Sequence, residues 1–174
     1  MPVVEIIKQK GHNFLWIDND LWMWDIPAEQ IAQERLSQKA YGSVLVAGYG
    51  LGILQKYLSL NSRVTSVRTV EIMPEIVDAN ERHFGKIFGE VLISDFYERS
   101  DYGQFDCVIG DIWEDILPEV LDRYNRFYDH ARRFVKPNGI VLAWGQEFFE
   151  ALNLQNKICA LMNERNNQKT NVIS

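Results

Sequence analysis

The sequence is short of cysteine, of basic charge and of long apolar runs, and each shortage removes a class of protein. Its 174 residues include only two cysteines, Cys107 and Cys159, far apart and each set in an apolar stretch. That excludes a secreted disulfide framework and reads as two reduced core thiols in a cytoplasmic protein. No apolar run approaches the roughly 20 residues that cross a bilayer, and Met1 to Lys10 lacks a signal-peptide h-region, so neither a membrane nor export is expected. The balance of 18 Lys and Arg against 24 Asp and Glu gives a net charge of −6. Such a balance opposes a nucleic-acid partner unless the basic residues gather on one face. His12, His83 and His130 have no ligand-spaced partners, so no metal site is indicated. No Ser or Cys stands in a G-x-S-x-G elbow, and no G-x-x-x-x-G-K-[ST] run occurs, which leaves covalent catalysis and the commonest nucleoside triphosphate site without support.

What is present is patterning. Phe14–Ile17 and Leu21–Trp24, joined by the turn-prone Asp18-Asn19-Asp20, read as a β-hairpin. Asp25 precedes Pro27 as the expected cap of a lead-in helix whose apolar face carries Ile31 and Leu36. From Ser43 onward short apolar runs alternate with amphipathic stretches. Strands are expected at Val44–Ala47, Val64–Val70, Val91–Ile93, Phe105–Gly110 and Ile140–Trp144. Helices are expected at Ile53–Leu60, Glu75–Phe84, Leu117–Val135 and Phe148–Met162, followed by a polar stretch, Asn163–Thr170, that should fray and a weak apolar end, Val172-Ile173. Strand–helix alternation of this kind builds an α/β fold, a doubly wound and mostly parallel sheet with helices on both faces. Ligands in such sheets lie beyond the carboxyl ends of the strands, where strand order reverses.

The residues just past the strands are therefore the informative ones. Gly48-Tyr49-Gly50-Leu51-Gly52 follows the first core strand, and its glycines let backbone approach a ligand at a helix N-terminus. The dinucleotide pattern needs a small residue at position 53, and Ile53 disfavours a nicotinamide or flavin. Glu71 closes the second strand 21 residues after Gly50, placed to accept hydrogen bonds from the two hydroxyls of a ribose; its plainer reading is a solvated acid leading a helix. Asp95 and Asp111 close the third and fourth strands. Three acids at three consecutive strand ends form an acidic crevice suited to a cationic ligand. Trp16, Trp22 and Trp24 crowd the hairpin as core packing or as a lid over the pocket. Trp113 lies two residues past Asp111, where it is either core or an aromatic face for substrate.

Val44 to Gly52, Val70-Glu71-Ile72, Ser94-Asp95-Phe96, Asp106 to Asp111 and Val135 to Gly139, in this order, resemble the motifs of class I S-adenosylmethionine-dependent methyltransferases. The resemblance runs from about Ser43 to Trp144. Val70-Glu71-Ile72-Met73-Pro74-Glu75-Ile76-Val77, with the preceding hairpin and helix, is more specifically similar to the spermidine-synthase-like branch. It implies one S-adenosylmethionine-binding domain over residues 1–174: a hairpin and lead-in helix (1–42), a Rossmann-like core (43–145), and a C-terminal helix and tail (146–174). It further implies S-adenosyl-L-methionine as cofactor, with Gly48, Tyr49, Gly50 and Gly52 near its amino-acid part, Glu71 and Ile72 at its ribose, and Asp95 and Phe96 at its adenine. Two departures stand out. Aminopropyltransferases of that branch carry an acid in the glycine loop and an Asp-x-x-Asp pattern, where this chain has Tyr49 and Leu51 and reads Asp111-Ile112-Trp113-Glu114. The two further strands that usually finish the sheet are also missing, so the C-terminal end is trimmed and the last strand needs a cover: the final helix or a second chain in a homodimer.

The expected function is methyl transfer to a small-molecule or peptide nucleophile, with Asp111 orienting the acceptor or taking its proton and with Trp113 and Glu114 on the acceptor side. The alternatives are a non-catalytic adenosyl-ligand or partner-binding module, and aminopropyl transfer.

Overall fold

The computed structural model describes residues 1–171, with side chains through Arg165; Val172-Ile173 lies outside the described residues. The chain opens with three strands, β1 (Val4–Gln9), β2 (His12–Ile17) and β3 (Asp20–Trp24), paired antiparallel in the order β1-β2-β3. The expected hairpin is thus two-thirds of a small sheet. Both reversals are two-residue turns, Lys10-Gly11 (φ 50° and 85°) and Asp18-Asn19 (φ 50° and 69°), whose left-handed pairs match the twist of the strands they join. Helix α1 (Pro27–Lys39) follows, and Asp25 does not cap it. Its carboxylate instead accepts from the Asn13 backbone N–H at 2.7 Å and from Asn13 Nδ2 at 2.6 Å, fastening the end of β3 to β2.

The core alternates as the sequence pattern demands: β4 (Gly42–Ala47), α2 (Ile53–Leu60), β5 (Val64–Glu71), α3 (Pro74–Phe84), β6 (Glu90–Ile93), β7 (Phe105–Gly110), α4 (Leu121–Ala131), β8 (Val135–Ala143) and α5 (Gln146–Asn171). The five core strands are all parallel and lie in the order β6-β5-β4-β7-β8. The chain steps outward from β4 to β6 and then returns to the other side of β4, so strand order reverses between β4 and β7. Strand periodicity sorts β4 between two cores. Leu45 and Ala47 join Val108, Phe127, Phe134 and Phe149 on the α4 face, while Val44 and Val46 join Cys107, Ile109, Leu54, Leu58 and Leu36 on the α1–α2 face. The small sheet packs separately, Val4 and Leu15 meeting Tyr49, Leu51, Ile76 and Ala79. At the amino ends of the strands Asp106 accepts from the Ser43 N–H at 2.8 Å and from Lys136 Nζ at 2.9 Å. The Ser43 amide first, then the Lys136 ammonium, hold its carboxyl down at about 2.

The C-terminal third departs from expectation. The helix read over Leu117–Val135 is α4 flanked by two 3₁₀ turns, Pro118–Val120 and Arg132–Phe134. Strand β8 starts at Val135, and Lys136–Gly139 is an excursion within it, since Phe105 pairs with Val135 and Cys107 already pairs with Ile140. Helix α5 is longer than Phe148–Met162 and continues through the polar stretch expected to fray. Phe149 is fully buried near its start, whereas Leu154, Ile158, Leu161 and Met162 are exposed. Cys107 is buried as expected, but Cys159 lies exposed on α5, because little packs on that helix beyond its first turns. Among the described residues, no helix is long and apolar enough to cross a membrane.

Candidate functional site

A cavity of about 480 Å³ opens at the carboxyl ends of the core strands, where strand order reverses. Its walls include Gly48, Tyr49 and Gly50 after β4, Glu71 and Ile72 at the end of β5, Asp95 and Phe96 after β6, and Asp111, Trp113 and Glu114 after β7. Each residue assigned to the cofactor or the acceptor borders it except Gly52, at the start of α2, and of the three hairpin tryptophans Trp22 borders it while Trp16 and Trp24 do not.

The glycine loop is held rather than merely permissive. Gly48 sits at φ +93°, its N–H donates to the Val70 carbonyl at 2.9 Å, and a Cβ there would lie 2.2 Å from the Asp111 carbonyl oxygen. Its own carbonyl accepts from Nε2 of the buried Gln55 at 3.0 Å, and the same amide reaches Thr69 Oγ1 at 3.2 Å. Gly52, at φ +68°, makes room for the Tyr49 ring, whose hydroxyl accepts from the Phe88 N–H at 3.1 Å. Tyr49 therefore serves as a buried brace, and burial pushes its hydroxyl pKa upward.

Glu71 is not a solvated acid. It is 4% exposed, and its two oxygens accept from the Tyr49 and Met73 N–H groups, both at 2.9 Å. Burial raises its pKa, and the amides hold back only part of the rise. With about four acceptor positions on its two oxygens, the carboxylate keeps capacity beyond these backbone donors, and it stands on the cavity wall. Asp95 is half-buried and accepts from the Tyr97 N–H at 2.8 Å. The Phe96 ring points away into the aromatic cluster of Tyr102, Phe127 and Phe134, while Ile72 is exposed.

On the other side of the cavity Asp111 has company that the sequence did not disclose. Gln33, fully buried on α1, donates from one Nε2 to Asp111 Oδ2 at 2.9 Å and to Glu29 Oε1 at 2.7 Å. Burial, and secondarily the Glu29 charge, push the Asp111 carboxyl up to about 7, against the Gln33 hydrogen bond that lowers it. Glu29 also borders the cavity and is likewise raised by burial. Trp113 edges the cavity but is 4% exposed, its ring set edge-on to Tyr124, Phe127 and Phe149, with Nε1 buried and unpartnered. Glu114 pairs with Arg123 at 2.5 Å. Arg123 also donates to the Ile112 carbonyl at 2.9 Å, and Arg126 lies 4.0 Å over the Tyr97 ring. The rim of the expected acidic crevice is thus basic on the α4 side. The spacing of Arg123 and Arg126, three residues apart on one helix face, was the available signal for that pair. Trp22 and Met23 of β3 complete the wall.

No family model and no curated protein matches the sequence. Solved structures do match. Spermidine synthase from Thermotoga maritima superposes with a TM-score of 0.64 at 16% identity, over 86% of this chain and 57% of that one. A protein from Streptococcus mutans assigned as a SAM-dependent methyltransferase gives 0.57 at 15% identity, over 86% of this chain and 46% of that one. The DhpI-SAM-HEP complex gives 0.50 at 25% identity, over 67% and 54%. The chain shares the Rossmann-like α/β fold of these solved structures, spermidine synthase and an assigned SAM-dependent methyltransferase among them. It spans about half the length of the solved structures it matches.

Proposed function

We propose that the chain binds S-adenosyl-L-methionine and transfers its methyl group to a small-molecule or peptide acceptor. The supporting observation is convergence: Glu71, Asp95 and Asp111, read as site residues from three separate strand ends, border one cavity with the glycine loop. The groups present suit the cofactor. Glu71 offers acceptor capacity for the ribose hydroxyls, Asp95 has an acceptor oxygen left for the adenine amine, and the Gly48–Gly50 backbone borders the cavity at the amino-acid end. The cofactor supplies an electrophilic methyl on a cationic sulfur. The protein's part is to orient donor and acceptor, exclude water and take the acceptor's proton, for which Asp111 is the candidate.

Isothermal titration with S-adenosylmethionine, its demethylated product and NAD tests the binding claim. Saturation at 100 times the dissociation constant should stabilise the protein by about 2.7 kcal/mol. Binding of NAD alone would overturn the reading, and a labelled methyl donor offered to a pool of acceptors tests turnover.

Aminopropyl transfer is the second reading, favoured by the likeness to spermidine synthase over 86% of the chain. It requires that decarboxylated S-adenosylmethionine bind in preference to the ordinary cofactor. We further propose a homodimer, because β8 ends the sheet and the apolar residues of α5 lie uncovered.

A further inference from the structure

Glu29 and Asp111 lie 82 positions apart in sequence, on α1 and after β7, yet one amide nitrogen serves both. Two oxygens bonded to a single nitrogen at 2.7 and 2.9 Å lie within about 6 Å of each other, the range in which like charges contest ionisation. Gln33 cannot turn away from this duty. Its side chain is fully buried, both amide protons point to carboxylates, and its Oε1 is left without a partner. An amide that leaves its own oxygen unsatisfied to hold two acids together is costly, and both acids face the cavity.

We propose that Glu29 is a positioning residue for Asp111: through the shared Gln33 amide it holds a second negative charge beside Asp111 and adds to what burial does in strengthening that carboxylate as a proton acceptor. The other charged groups on the cavity wall are already committed or stand elsewhere on it. Glu71 on β5 holds two amides, Asp95 after β6 holds one, Glu114 pairs with Arg123 of α4, and Arg126 of α4 stacks on Tyr97. Resting on the methyl-transfer reading, the proposal also narrows the acceptor. It is an X–H group that arrives protonated, a hydroxyl or an ammonium. A hydroxyl gives its proton to Asp111 as its lone pair forms the bond to carbon and the S–C pair returns to sulfur. An ammonium, which has no lone pair, first gives a proton to Asp111 and then attacks as the amine, and in both cases the proton leaves Asp111 for water. A thioether acceptor, which has no proton to lose, would make no use of the pair.

The test is the titration of Asp111, followed by carbon-13 NMR of side-chain carboxyls in the full chain and assigned with Asp111→Asn. In wild type the midpoint is expected near 7, and in Glu29→Gln lower by about one unit. Glu29→Asp, which keeps the charge, should restore part of the shift. An unmoved midpoint in Glu29→Gln overturns the proposal. Where transfer is measurable, the acid limb of the kcat profile should move with the midpoint while affinity for S-adenosylmethionine stays within about twofold, since Glu29 acts on proton transfer and not on cofactor binding. If no adenosyl ligand binds even to wild type, the methyl-transfer reading fails, and the NMR titration still decides whether Glu29 governs Asp111.

Discussion

Replacing Asp111 with Asn should stabilise the protein at pH 8 and leave it nearly unchanged near pH 4. The folded state raises this carboxyl from 3.8 to about 7, so between those values the folded protein holds a proton that the unfolded chain has lost. Stability then falls as pH rises from about 4 through 7 and levels off above, because the native state binds more protons than the unfolded state in that window. About three pH units at 1.36 kcal/mol each correspond to about 4 kcal/mol. Asp111 keeps some contact with solvent, which screens its charge and reduces the figure to about 2 kcal/mol. Asn has the shape of the protonated acid, can still accept from Gln33, and carries no charge. Its advantage in a chain of this size amounts to about 4–8 °C in melting temperature at pH 8 and shrinks steadily toward pH 5. Paired calorimetric melts of wild type and Asp111→Asn in steps from pH 5 to 8.5 measure it. An advantage that does not change with pH, or an Asn variant that melts below wild type at pH 8, would refute the assignment of this charge as a native-state cost.

Three further outcomes can be checked. Glu71→Ala strips two buried N–H groups of their acceptor, so it should lower the melting temperature by several degrees as well as weaken adenosyl-ligand binding about a hundredfold by calorimetric titration; intact stability would show that water replaces the carboxylate. Gly48→Ala combines φ +93° with a Cβ only 2.2 Å from the Asp111 carbonyl oxygen, and a loss of about 3 kcal/mol or more is expected from its urea midpoint; a loss under about 1 kcal/mol would mean the loop relaxes. Light scattering at micromolar concentrations should find a dimer that Ile158→Asp with Leu161→Asp dissociates; a wild-type monomer would overturn self-association.

The sheet was legible because its strands obey simple rules. Val44–Ala47 and Cys107–Gly110 are continuous apolar runs, as strands buried on both faces must be, and the glycine loop and the acids lie at or just past the strand ends. Strand β1 was missed because its reversal uses Lys10-Gly11, a weaker turn signal than the Asp-Asn pair that revealed the next one. Asp25 satisfies every local rule for a helix cap, yet a neighbouring strand offers Asn13, whose two donors outbid the helix. The helix and strand after Leu117 were blurred because the Pro118 and Lys136-Pro137-Asn138-Gly139 signals mark irregularities inside larger elements, and punctuation alone does not say which side of a boundary it serves. Within the site, residues that follow a strand were found and residues that reach it from elsewhere were not. Gln33 and Glu29 sit on a helix of ordinary polar composition, and only the packing of α1 against the sheet brings them to Asp111.

The small sheet forms a wall of the cavity without belonging to the sheet that makes its floor. Met23 Sδ receives the Leu51 N–H at 3.4 Å, a Cβ on Gly50 would lie 2.6 Å from that sulfur, and Trp22 stands beside it on the cavity lining. Residues 4–24 and the glycine loop are therefore mutual moulds: when the small sheet lifts, the loop loses the surface that shapes it. A ligand in the cavity that touches both would couple its own release to local opening of this wall and slow that opening. Amide hydrogen exchange in β2 and β3 should therefore slow when the cavity fills, even at positions that touch no ligand, and substitutions at the Met23 contact should alter ligand residence time by changing how often the wall swings away.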